Sequence, residues 1–176
     1  PRRGFRALLG RDQNGQCLRG PCEDVLQFQP REAQHAHGGR DGERMRFGGV
    51  PFKRGEAHFF WKNAGLQNQS VLYAVRSVTD ADADAVVVLD PNLLSPDGTT
   101  AIGALAFSEC GSLLAYGVTH AGSDWQTIHV RRIDPHSLRA EQLADSLEGV
   151  KFSSIAWTHD NLGFFSMAEP ERERTA

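Results

Sequence analysis

The 176-residue sequence predicts an all-β fold, specifically an incomplete β-propeller of about two and a half four-stranded antiparallel blades. Three observations carry that expectation. From Val50 onward, short runs rich in Val, Ile, Phe, Tyr and Trp alternate with Gly, Asp, Asn and Pro. Only one segment is written as a helix, and one strand-turn-strand pattern returns after 50 residues.

Taken in order, the β-type runs are 57–62, 70–77, 85–90, 102–108, 112–119, 126–133, 153–158 and 162–167. Turn signals such as Asn63-Ala64-Gly65, Ser95-Pro96-Asp97-Gly98 and Glu109-Cys110-Gly111 separate them. Between the sixth and seventh runs, Ser137–Leu147 reads as a short helix. The repeat pairs Leu105-Ala106-Phe107-Ser108-Glu109-Cys110-Gly111 with Ile155-Ala156-Trp157-Thr158-His159-Asp160-Asn161, each followed by an apolar strand. A fainter copy begins at Phe52-Lys53-Arg54-Gly55 and continues into His58-Phe59-Phe60-Trp61. A strand ending in an aromatic, a tight polar turn and a second strand form the opening hairpin of a blade. The first blade is therefore expected at about 50–100, the second at 101–150 and the opening of a third at 151–167, within a partial propeller spanning 50–176. Such an arc leaves blade faces and edges unpaired, so it should be prone to association. Trp125, Trp157, Phe107 and Tyr116 are expected to pack between blades.

Residues 1–49 form a different regime. Residues 1–54 carry eleven Lys or Arg against six Asp or Glu, whereas 55–176 carry eight against sixteen. The first stretch has no helical or strand period and is expected to be a basic, disordered segment. Interspersed acids and the lack of aromatic interleaving argue against a nucleic-acid arm. No apolar run approaches the roughly 20 residues of a membrane-spanning helix. Three cysteines, Cys17, Cys22 and Cys110, are too few for a disulfide framework and suit a reducing, cytoplasmic setting. The opening Pro1 suggests a piece of a longer protein.

No metal or cofactor is expected. Asp80-Ala81-Asp82-Ala83-Asp84 imitates a calcium loop, but Ala85 stands where glycine is needed and Pro91 where glutamate is needed. Cys17, Cys22, His35 and His37 have spacings that fit a structural zinc site poorly. Asn68-Gln69-Ser70 is a glycosylation sequon without a role in a cytoplasmic protein.

Several strings resemble the amino-terminal part of the prolyl oligopeptidase propeller. They are Asn63-Ala64-Gly65-Leu66-Gln67-Asn68-Gln69-Ser70-Val71-Leu72-Tyr73, then Leu89-Asp90-Pro91-Asn92-Leu93-Leu94-Ser95-Pro96-Asp97-Gly98-Thr99, Gly122-Ser123-Asp124-Trp125, Val150-Lys151-Phe152-Ser153 and Ala156-Trp157-Thr158-His159-Asp160. The likeness covers roughly 50–167. It departs from the family at Cys110, where an acid is usual, around Pro135–Ala140, where residues are inserted, and over 1–46.

The resemblance implies a seven-bladed ring that serves as the lid of a serine endopeptidase cutting short peptides after proline. An α/β-hydrolase domain would supply the catalytic Ser, Asp and His. This chain holds no Gly-x-Ser-x-Gly elbow, so no catalytic residue is assigned to it. Phe152 matches the aromatic that lines the substrate pocket beyond the proline site, and Asp124 matches the acid that faces an arginine of the catalytic domain. The implied partners are that missing domain and short proline-containing peptides. A non-catalytic propeller that binds other proteins is the alternative.

Overall fold

The computed structural model describes residues 5–9, 50–65, 67–79, 84–95 and 98–168. The first four-stranded sheet contains β2 (Phe52–Arg54), β3 (Ala57–Lys62), β4 (Val71–Val75) and β5 (Val86–Leu89) in sequential antiparallel order. The second contains β6 (Thr100–Phe107), β7 (Leu113–His120), β8 (Trp125–Ile133) and β9 (Ala140–Lys151), again in sequence. Each is a propeller blade in its strand order. A third sheet starts with β10 (Ala156–Trp157) and β11 (Gly163–Met167), and β1 (Phe5–Leu9) pairs along the other edge of β11.

The core lies between sheets, and β7 shows why the chain is written this way. Alternate side chains of a strand point to opposite faces. Leu114, Tyr116 and Val118 accordingly join Phe59, Leu72, Val88 and Leu89 of the first blade in one buried cluster. Leu113 and Ala115 join Ile128, Val130, Leu147 and Phe164 in a second cluster toward the third sheet. Both faces of β7 are covered, which is why its sequence is nearly continuously apolar. Phe107 lies between the blades as expected, its ring centroid 4.5 Å from that of Phe59 and 5.6 Å from that of Phe52. Polar ties cross the same seams: Arg131 donates to Val88 O at 2.7 Å, and the Trp157 indole donates to Ala106 O at 3.0 Å.

The 50-residue repeat holds at the level of single hydrogen bonds. Ser108 N donates to Leu113 O, Gly111 N to Ser108 O, and Leu113 N to the Ser108 hydroxyl. Thr158 N donates to Gly163 O, Asn161 N to Thr158 O, and Gly163 N to the Thr158 hydroxyl. Gly111 and Asn161 close the two turns with φ of 76° and 55°, a region that glycine and asparagine enter at least cost.

Two expectations are corrected. The helix read over Ser137–Leu147 is absent, and Ala140 onward belongs to β9. Leu143 and Leu147 are four apart, a spacing that satisfies period 3.6 and period 2 equally. Pairing with β8 decides for the strand, and bulges let β9 carry more residues than its partner, with Gly149 at φ 69° in one of them. The second correction is β1, a strand inside the segment read as disordered. Its pairing partner lies more than 150 positions along the chain, so no local signal could announce it. The other expectations for residues 1–49, including those for Cys17, Cys22, His35 and His37, concern positions outside the described residues, as do Asp80–Ala83 of the acidic turn.

Candidate functional site

The residues singled out by resemblance, Asp124 and Phe152, meet at one end of the second blade. Trp125 opens β8 and Lys151 closes β9, and the two stand opposite each other in the antiparallel register. Residues just before β8 and just after β9 are thereby brought side by side. The turn leading into β8 is fixed by Ala121 N donating to Thr99 O, Ser123 N to His120 O, and Trp125 N to the Ser123 hydroxyl.

Lys151, which the sequence reading did not select, is the centre of the group. Its ammonium lies 3.4 Å from Asp124 Oδ2, 5.3 Å from the Trp125 ring centroid and 4.9 Å from the Phe152 centroid. Each cation–ring contact at such an exposed site contributes about 0.5–1 kcal/mol, and the exposed ion pair about 0–1 kcal/mol. Together they hold a carboxylate and two aromatic faces in one patch. No sequence signal marked Lys151 beyond its place next to Phe152.

Phe152 is 76 % exposed and has φ 48°. Left-handed backbone costs a non-glycine residue roughly 1–2 kcal/mol, and here it turns a large ring away from the core. Phe152 is thus no part of the core. Trp125 is corrected too, because at 43 % exposure it forms part of the rim and does not pack between blades. Its place beyond the last buried pair of β8 and β9 explains this. Trp157 stacks edge-on against Phe164 at 5.4 Å, and Tyr116 is buried with its hydroxyl donating to Gln142 at 2.6 Å.

Beside the patch is a depression of about 260 Å³ lined by His120, Ser123, Trp125, Gln126 and Glu148 among others. Gln126 is buried, and its side-chain oxygen accepts from Ala104 N. On the same strand, partial burial of His129 holds its imidazole pKa below the usual histidine value; Glu148 opposes the shift, and His120 adds to it. Among the described residues, no group of three His, Cys, Asp or Glu is arranged to hold a metal. The arrangement offers aromatic surface and one balanced charge pair, which suits contact with a peptide or a docking domain.

Residues 44–176 match the family described as prolyl oligopeptidase, N-terminal β-propeller domain. The chain is 40 % identical over 124 residues to a prolyl endopeptidase of Elizabethkingia miricola, covering 70 % of this chain and 16 % of that protein. It is 39 % identical over 135 residues to prolyl oligopeptidase A of Amanita bisporigera, covering 69 % and 18 %. Its fold matches that of prolyl oligopeptidase B from Galerina marginata, solved with a 25mer macrocyclization substrate, with a TM-score of 0.60 and 33 % identity over 72 % of this chain and 20 % of that one. The chain thus spans less than a fifth of the length of these curated relatives.

Proposed function

The chain belongs to the prolyl oligopeptidase family, as part of its N-terminal β-propeller, and from that premise we propose that it is the substrate-gating portion of a cytoplasmic serine endopeptidase that cleaves short peptides after proline. An α/β-hydrolase domain carried elsewhere supplies the nucleophile, base and acid. This portion supplies the rim over which a peptide passes. Phe152 contacts the substrate upstream of proline, and Asp124 meets a cation of the catalytic domain.

The observation that supports this reading is the exposed, backbone-strained Phe152 ring held beside Asp124 by Lys151. Strain of that kind persists at ligand clamps when the surroundings enforce it. Because Asp124 is already paired with Lys151, docking of a guanidinium is an exchange of partners on a preplaced carboxylate. Among the described residues no helix is long and apolar enough to cross a membrane.

The test is steady-state kinetics of a full-length enzyme carrying this propeller. Removing an aromatic contact worth roughly 1.5–3 kcal/mol should make Phe152→Ala lower kcat/KM about ten- to a hundredfold for peptides with a bulky apolar residue upstream of proline. Peptides too short to reach the ring should be cleaved nearly as before. An equal loss for long and short substrates would overturn the assignment.

A further inference from the structure

We propose that the edge of β11 facing away from β10 is a strand-acceptor site, filled in this chain by Phe5–Leu9 in the place that the third strand occupies in the other two blades. This inference does not depend on the peptidase reading. In the first blade the second strand, β3, lies between β2 and β4; in the second blade β7 lies between β6 and β8. β11 is the second strand of the third sheet, and it lies between β10 and β1. The stand-in comes from the opposite end of the sequence.

The register reproduces the same geometry. Carried through the 50-residue repeat, Gly163–Met167 of β11 correspond to Leu113–Gly117 of β7. β7 pairs Leu113 with Arg132 and Gly117 with Ile128, and β11 pairs Gly163 with Leu9 and Met167 with Phe5. Both pairings are antiparallel and unbroken over these five positions. β1 thus takes the positions of Ile128–Arg132 in the third blade.

The backbone of β11 shows which groups the site offers. Gly163 is bonded to Thr158 on the β10 side, and Met167 N donates to the Ser153 hydroxyl on that same side. Alternate residues of a strand direct their N–H and C=O to opposite neighbours. Phe164 and Ser166 therefore present theirs to β1, opposite Leu8 and Arg6. Uncovered, this row is an edge able to template pairing with another strand. It accepts an extended segment in antiparallel register, the mode of β-strand addition. A segment following Met167 that folded as the blade's own third strand would compete with Phe5–Leu9 for this edge.

The test is amide hydrogen exchange, read by NMR on the full 176-residue chain. Arg6→Pro/Leu8→Pro removes the two donors that face β11, whereas Ala7→Pro removes one that points away and is tolerated on an edge strand. In the double variant, Phe164 and Ser166 should exchange at least about tenfold faster, with Ala7→Pro close to the parent. The β7 amides should keep their protection in both, and Leu8→Pro alone gives the same reading with one proline fewer. A synthetic peptide of residues 1–12 should restore protection to the double variant, and the same peptide with proline at positions 6 and 8 should not. Unchanged exchange at Phe164 and Ser166, equal effects of the double variant and Ala7→Pro, or failure of the peptide to restore protection would each overturn the proposal.

Discussion

Replacing Gly55 by alanine tests whether the first two blades meet turn against turn. Gly55 has φ 54° and follows β2, and a Cβ added there would clash with Cys110 O and stand 3.0 Å from Cys110 C. From the other side, a Cβ on Gly111 would lie 2.7 Å from both C and O of Arg54. The two turns approach backbone to backbone, so neither can yield by rotating a side chain. Gly55→Ala therefore combines about 1–2 kcal/mol for left-handed backbone with about 1–3 kcal/mol for overpacking. Gly122 supplies the control, with φ 71° and nothing within 4 Å of an added Cβ. Gly122→Ala should lose only the conformational part, about 1–2 kcal/mol. Urea unfolding of dilute protein, followed by tryptophan emission, measures the difference. With a slope of about 1–3 kcal/mol per molar urea, a further 1–3 kcal/mol separates the two midpoints visibly. Equal losses would show that the contact between the blade turns contributes nothing and would refute the packing derived for this seam.

Three further outcomes follow from local geometry. Phe152→Gly should leave the chain as stable or raise its stability by up to about 1–2 kcal/mol, because it relieves φ 48° at an exposed site; a large drop in the thermal midpoint would mean the ring is structural. Cys110→Asp should stabilise the second blade by about 0.5–1.5 kcal/mol, since the repeat-related Asp160 accepts from the Thr158 hydroxyl and Leu162 N, whereas Cys110 places only a weakly hydrogen-bonding sulfur beside the Ser108 and Ser112 hydroxyls; denaturant unfolding of this variant reads the gain. His129 has a lowered folded-state pKa, so the folded chain binds fewer protons than the unfolded one just below the ordinary histidine value. Stability should therefore fall as pH drops through that value toward the lower folded one, and His129→Gln should flatten the slope in urea-midpoint measurements across this window.

Much of the fold was legible because blade strands are short, apolar and bounded by strong turn residues. The repeat was legible for a physical reason: Ser108 and Thr158 each close a turn with a hydroxyl to the backbone, which fixes residue types at fixed spacing. Its partner strand was not readable at Phe5–Leu9, because edge pairing is a long-range event. The run through Leu143 and Leu147 was ambiguous because four residues suit either period, and only β8 decides between them. At the candidate site, Asp124 and Phe152 were found through family strings, and their meeting around Lys151 became visible only when β8 and β9 paired. Trp125 was misread because a large ring usually signals burial, yet this one lies where the ladder ends and the rim begins.

The central claim, that the rim at Phe152 contacts peptide substrate, is tested most directly by photocrosslinking in a full-length enzyme carrying this propeller. With benzoylphenylalanine at position 152 and a proline-containing peptide bound, the account predicts a crosslink to the peptide residue upstream of proline, suppressed by excess unlabelled peptide. Crosslinks confined to neighbouring propeller residues, unchanged by peptide, would contradict it.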